Sequence, residues 1–440
     1  MSFRGLAFVS VLAATFVAVP AAGAFEPVAV ATTTRVSVNS IEAQALNGAS
    51  FDVFISAGGR FVVFDSGADN LVPDDQNTFR DVFIRDRKLG RTRLISVSSA
   101  GEQPNNHTGV YSNGSPISAD GRYVVFITSA ANVVPNDGNS HTDVFIRDRK
   151  KGTTKRVSVN SNEEEAQGGD SVDPAISPDG RFVVFQSTAD NLVPNDLNGA
   201  ADVFIRDREK GVTKRVSVNS SEEESHGGGT EASLSADGRY VLFGSTSDNL
   251  APGANGSEQA YVRDRREGTT RRVSVNAGGH QANQSVGYMS ISNSGRFVVF
   301  ESNANNLVKH DTNGQTDVFV RDRHSKTTRR VSVTSAEGQV KNWSGYAHVS
   351  PSGRFVAFES PNAHLVAGDD NGIVDVFVRD IRHGITTRVT SRSGGSSPNG
   401  SEYPTITSDG RFVGFQSDVN NLVPGDTNGF TDAFVRGPLR

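Results

Sequence analysis

A Gly-Arg-Phe/Tyr step returns seven times along the 440-residue chain, with its arginine at Arg60, Arg122, Arg181, Arg239, Arg296, Arg354 and Arg411. The spacings of 62, 59, 58, 57, 58 and 57 residues make the period almost constant. A fixed period of this kind defines a repeat architecture, in which each unit buries its apolar face only against its neighbours. One hydrophobic core supports at most roughly 250–300 residues, so stacked repeats also answer the problem of size.

The third copy shows the unit. Pro174-Ala175-Ile176-Ser177 leads into the turn Pro178-Asp179-Gly180, and Arg181-Phe182-Val183-Val184-Phe185 follows. An Asp-Gly turn between apolar runs marks a hairpin. Residues 202–205 read as a third strand, and residues 214–218, reached through Gly211, as a fourth. The second and third are continuously apolar, as strands covered on both faces are. The fourth alternates Val216, Ser217, Val218, like an outer strand with one wet face. Four antiparallel strands per unit, with no helical period between them, are the pattern of a propeller blade. The seventh copy stops after its third strand, residues 432–435, and Thr34-Arg35-Val36-Ser37-Val38 near the other end matches the missing fourth. The expected fold is an all-β, seven-bladed β-propeller over residues 25–440, its ring closed by an N-terminal strand that pairs with the last blade.

Residues 1–24 read as a secretory signal peptide. Arg4 supplies the positive start, residues 6–19 the apolar stretch, and Ala22-Gly23-Ala24 a small-residue cleavage site before Phe25. That stretch is short for a membrane span, and no later segment is long enough to be one. A secreted or periplasmic location is expected. The absence of cysteine excludes disulfides, thiolate zinc sites and thiol nucleophiles.

Ser177-Pro178-Asp179-Gly180 before an apolar strand, with Asp202-Val203-Phe204-Ile205-Arg206-Asp207 downstream, resembles the repeats of TolB-like bacterial propellers, a WD40-like repeat family. The resemblance covers all seven units. It implies an exported propeller that works by binding partners; relatives of the fold also form the gating domain of some serine peptidases. Seven units stand where TolB has six, and no α/β domain is expected ahead of them, so TolB's own partner does not carry over.

Charge sorts by face. The six turns between third and fourth strands hold 29 of the 44 basic residues and 8 of the 49 acids. With the seven Gly-Arg turns that side carries 36 basic and 12 acidic residues, against 8 and 37 elsewhere. A net charge of -5 therefore hides one basic and one acidic face. The basic face could dock an anionic polymer, or its arginines could pair with the aspartates of each Arg-Asp-Arg. It has no interleaved aromatics for bases to stack on, so nucleic acid is not an expected partner.

On the acidic face the spacing Asp-x-Asn-x-x-x-Asp recurs before the third strand. It reads Asp75, Asn77, Asp81; Asp137, Asn139, Asp143; Asp196, Asn198, Asp202; Asp311, Asn313, Asp317; Asp369, Asn371, Asp375; and Asp426, Asn428, Asp432. The fourth copy breaks it, with Ala254, Asn255 and Ala260. Two carboxylates with an amide oxygen suit Ca2+ in a weak extracellular site, with a dissociation constant of roughly 10⁻⁴–10⁻³ M. The same residues also build Asx turns and strand caps without metal.

Eight residues before each Gly-Arg arginine, on the innermost strands, stand Asp52, Gly114, Asp173, Glu231, Tyr288, Tyr346 and Tyr403. An arc of tyrosines facing carboxylates would suit a sugar or peptide at the channel mouth, and Trp343 lies close by in sequence. The same rings could instead pack between blades. Nucleophile-elbow, zincin and phosphate-loop motifs are missing. The expected function is a binding scaffold, calcium-stabilised, that presents its acidic face to a protein or glycan of the cell envelope or exterior. The alternative is a glycan-cleaving hydrolase or lyase that uses Asp52, Asp173 and Glu231.

Overall fold

The computed structural model describes Met1 and residues 31–390 and 400–439. The expected signal peptide lies outside the described residues apart from Met1. Among the described residues twenty-eight strands form seven four-stranded antiparallel sheets, and no helix is long and apolar enough to cross a membrane. The third blade comprises Ser171–Ile176, Phe182–Ser187, Asp202–Asp207 and Val212–Arg215. The seventh comprises Ser401–Ile406, Val413–Ser417 and Asp432–Gly437, and it takes Thr32–Arg35 from the N-terminal side as its outer strand. Thr32 faces Gly437 and Arg35 faces Phe434 in that closing ladder.

The outer strands lie about one turn earlier than the sequence pattern places them. In the third blade the ladder ends at Arg215, and Val216, Ser217 and Val218 leave it. Both valines are buried, and the Ser217 hydroxyl caps Asp202 from within. The Val-Ser-Val alternation thus marks an inward plug between blades. Val36 and Val38 do the same at the closure, where Val36 N–H donates to Ala433 O at 2.8 Å.

The hydrophobic cores sit between blades. One joins Ala175, Phe182 and Val184 of the third blade to Ala232, Leu234 and Phe243 of the fourth. Another joins Val36, Ala433 and Val435 to Val53 and Phe64, which makes the closure part of the core. Every blade also stacks an aromatic pair across its second and third strands, such as Phe185 on Phe204 at 5.9 Å.

The Gly-Arg step locks neighbours together. Gly180 has φ +79°, and a Cβ there would lie 2.2 Å from the Tyr123 ring of the preceding blade. Arg181 holds Asp207 with two hydrogen bonds of 3.0 and 2.7 Å, while Arg208 covers the same Tyr123 ring at 4.5 Å. Equivalent Arg–Asp pairs recur in the first, second, fourth, fifth and sixth blades. The aspartate of Arg206-Asp207-Arg208 thus pairs with the Gly-Arg arginine and not with the arginines flanking it, which reach Glu163 and cover the Tyr123 ring.

Candidate functional site at the channel mouth

The first strand of six blades carries a β-bulge at the position that faces the channel. There Asp52, Asp173, Glu231, Tyr288, Tyr346 and Tyr403 all take left-handed backbone conformations, with φ between 35° and 53°. Such angles are strained for any residue with a Cβ, and for tyrosine especially. A bulge re-aims its side chain, and here six bulges aim six side chains at one point. The second blade differs. Its first strand is only Thr108–Gly109, Gly114 sits deeper in the channel, and Tyr111 reaches the mouth.

These side chains surround a cavity of about 270 Å³. Tyr288, Tyr346 and Tyr403 pack ring against ring, with centroids 4.0 and 4.6 Å apart. Asp52, Asp173, Glu231 and Tyr111 complete the wall. Trp343, grouped with them on sequence proximity, is not in the cavity wall. Deeper down, His348 meets Phe54 edge-on at 6.2 Å, and burial lowers it to about 4, which leaves it neutral.

Carboxyl groups that the sequence reading missed stand behind the bulges. Tyr346 N–H donates to Glu301 Oε2 and Tyr403 N–H to Glu359 Oε2, each at 2.8 Å. Gln416 accepts from Asp52 N–H in the same way, at 3.0 Å. Asp65, at the matching place in the first blade, is fully buried. All four end the Phe-Val-x-Phe run of a second strand, where a polar side chain interrupts an otherwise apolar sequence. That interruption is the signal that could have found them.

Burial pushes these acids up. Glu231 reaches about 8, helped by Glu258, Glu301 and Asp173; Glu359 reaches about 9, Glu301 about 7 and Asp52 about 6. Asp65 is raised well above its ordinary value by burial and then by Asp52. Arg80 offsets Asp52 and Asp65, lying 3.7 Å from Asp65 and donating to the Tyr111 hydroxyl at 3.0 Å. The mouth thus combines an aromatic wall with carboxyls that ionise across the neutral range.

The Asp-x-Asn loops are built differently, because an arginine from the end of the outer strand enters each of five. Arg156 Nη2 lies 2.8 Å from Asp137 Oδ1 and its Nε 3.3 Å from Asp143 Oδ2. Arg35 meets Asp426 and Asp432, Arg215 meets Asp196 and Asp202, Arg330 meets Asp311 and Asp317, and Arg388 meets Asp369 and Asp375. Asn139, Asn198, Asn313, Asn371 and Asn428 donate their amides to the last aspartate. Their amide oxygens accept an N–H two residues on, which is an Asx turn. Oxygens of Asp137, Asp143 and Glu165, and of Asp196, Asp202 and Glu224, converge closely enough to hold a metal ion, yet each group already surrounds a guanidinium.

Two blades depart from this rule. The fourth keeps Arg272 but has Ala254 after the left-handed Gly253, where Asp196 follows the left-handed Asn195, and Gln259 where Asp202 stands, so the second break falls at Gln259 and not at Ala260. Strand Gln259–Asp264 begins where Asp202–Asp207 does. Arg272 bonds instead to the carbonyls of Pro252 and Ala251 and to the Tyr261 hydroxyl, and Asn255 keeps its turn. The first keeps Asp75, Asn77 and Asp81 but ends its outer strand, Arg91–Leu94, with leucine.

No protein-family model matches the chain, and no curated protein matches it either. Solved structures do. An oligogalacturonate lyase in complex with manganese aligns over 92% of this chain and 93% of its own, at 12% identity and a TM-score of 0.54. The oligogalacturonate lyase of Vibrio parahaemolyticus aligns over the same shares at 11% identity and a TM-score of 0.55. TolB from Acinetobacter baumannii aligns over 87% of this chain and 81% of its own at 14% identity, but its TM-score of 0.41 is too low to carry an argument. At such identities the likeness shows the propeller fold alone.

Proposed function

We propose that the chain is an exported, non-enzymatic binding propeller that holds a cationic group of a protein partner, a lysine side chain or a terminal amine, at its channel mouth. The observation that carries this reading is the set of six strained bulges that turn three packed tyrosines and three carboxyls into one cavity. Aromatic faces and carboxylates both attract ammonium, and each interaction strengthens when water is excluded. Among the described residues the acids of the mouth outnumber Arg80, which sets the sign of the preferred ligand.

The test is a calorimetric titration with a lysine-rich peptide, an acidic peptide of equal length and a neutral oligosaccharide. Only the lysine-rich peptide should bind. Its affinity should rise from pH 6 to pH 9, because the carboxylate form of Glu301, Glu231 and Glu359 is the one that binds cations. Tyr346→Ala should weaken binding about tenfold or more, since it removes the ring that touches both others. Preference for the acidic peptide, or affinity flat with pH, would overturn the reading.

The glycan-cleaving alternative draws on one feature: Glu231 and Glu359 stay protonated near neutrality, as a general acid must. The two lyases are named for oligogalacturonate, whose negative charge this acidic mouth would repel. Turnover of any oligosaccharide, lost in Glu231→Gln, would favour the enzyme.

A further inference from the structure

The first blade breaks the arginine rule in a way that leaves two specific atoms unpaired. Leu94 occupies the place of Arg156 and its counterparts, opposite Phe83 as Arg156 is opposite Phe145. Asp75 Oδ1 and Asp81 Oδ2 are buried without an ion pair or a hydrogen bond of good geometry among the described residues, and the neighbouring donor is Asn77, through its N–H toward Asp75 and its amide toward Asp81. The same two atoms bind guanidinium nitrogens elsewhere: Asp137 Oδ1 with Asp143 Oδ2, Asp311 Oδ1 with Asp317 Oδ2, and Asp369 Oδ1 with Asp375 Oδ2. Asp81 is 0% exposed, and its other oxygen is already satisfied by the Ser96 hydroxyl at 2.7 Å.

We propose that this one loop binds a single hard divalent cation, calcium by donor chemistry, between Asp75 and Asp81. Buried carboxylate oxygens need a positive partner, and five blades supply it from their own chain while this one does not. Both orphan donors are oxygens on a short loop, the setting that calcium accepts with water completing its shell. Asn77 holds the loop in position, its amide oxygen accepting Phe79 N–H at 3.0 Å and its amide nitrogen donating to Pro104 O at 3.3 Å. Gln103 is likewise engaged, with the N–H groups of Gln76 and Asn77 on its oxygen, both at 3.1 Å. Asp69 adds negative charge near Asp75, and His107 is the titratable neighbour of Asp81. The sequence pattern of six equivalent calcium loops thus narrows to one, and the inference is independent of what the channel mouth binds.

Equilibrium dialysis of the whole chain against radioactive calcium, after treatment with chelator, should show one ion per molecule with a dissociation constant of roughly 10⁻⁴–10⁻³ M. Calcium should raise the melting temperature. Leu94→Arg should abolish binding, at least a hundredfold, while melting at or above the parent's temperature without calcium. Asp75→Asn serves as a second variant, expected to lose the ion with the ring intact. No ion bound would mean that Asp75 and Asp81 share a proton instead, and would overturn the proposal. So would several ions per chain, or an ion retained by Leu94→Arg.

Discussion

The loops of the acidic face and the channel mouth lie on the same side of the disc and are both rich in carboxylates, yet they solve opposite problems. Each of five loops places two aspartates around one arginine drawn from its own blade or, at the closure, from Thr32–Arg35. The mouth lines its wall with Asp52, Asp173 and Glu231, backs it with Asp65, Glu301 and Glu359, and sets Arg80 beside Asp52 and Asp65. In the loops the residue types repeat from blade to blade; at the mouth they run Asp, Gly, Asp, Glu, Tyr, Tyr, Tyr. Repetition in five of the seven blades serves the packing of the ring. Variation at one strained position serves an asymmetric ligand.

The comparison breaks most directly at Arg156. Its removal in Arg156→Leu strands Asp137, Asp143 and Glu165, and loss of one partner from a buried ion pair costs about 3–5 kcal/mol. Urea unfolding measures it, and a loss below about 1 kcal/mol would show the loops to be solvated rims.

The mouth predicts a slope with pH instead. An acid whose folded-state value is raised binds its proton more tightly in the folded chain, so stability is greatest below the ordinary carboxyl range and falls as pH climbs. For Glu231 and Glu359 that fall spans about pH 5 to 9, and Glu231→Gln should recover roughly 2–4 kcal/mol at pH 8. Asp148 has the reverse sign. Arg122 holds it near 2, so its contribution is complete above the ordinary aspartate value and is lost as the medium is acidified toward pH 2. Melting temperatures across pH 3 to 9 should therefore peak on the acid side of neutrality, and Glu231→Gln should flatten only the alkaline limb.

A smaller loss, about 1–3 kcal/mol, is expected for Gly180→Ala. Left-handed backbone and the Tyr123 ring 2.2 Å from the added methyl both oppose it. Its effect should be independent of pH and additive with Arg156→Leu, since the two lie on opposite faces.

The blade count, the closure and the channel position of Asp52, Asp173, Glu231, Tyr288, Tyr346 and Tyr403 were legible because each is a fact about period. A repeat offset names the same place in every blade. What stayed hidden depends on contacts across long separations. Arg156 lies in the outer strand, thirteen residues after Asp143, and reads as part of a basic hairpin. Nothing in the local pattern says that the strand carries it to the acidic face, where it fills the loop that resembles a calcium site. Glu301 and Glu359 were hidden for a related reason: each supports a bulge in the next blade, more than forty residues on. The Val-Ser-Val run misled because alternation is common to a half-wet strand and to a plug that buries both valines.

Arg80 offers the finest test of the mouth's sign. Its guanidinium lies over the Phe51 ring at 4.8 Å, so Arg80→Met keeps much of the packing and removes the charge. Asp65 and Asp52 would rise further and take up part of a proton, which offsets some of the lost positive charge. The remaining change should strengthen binding of a lysine-rich peptide by roughly threefold to tenfold at pH 8, the size expected for one screened charge several ångströms away. An anionic sugar would respond in the opposite direction, because it would lose the attraction of Arg80. Calorimetry on this single variant with both probes separates a cation-binding mouth from a polyuronate-binding one without any assay of turnover.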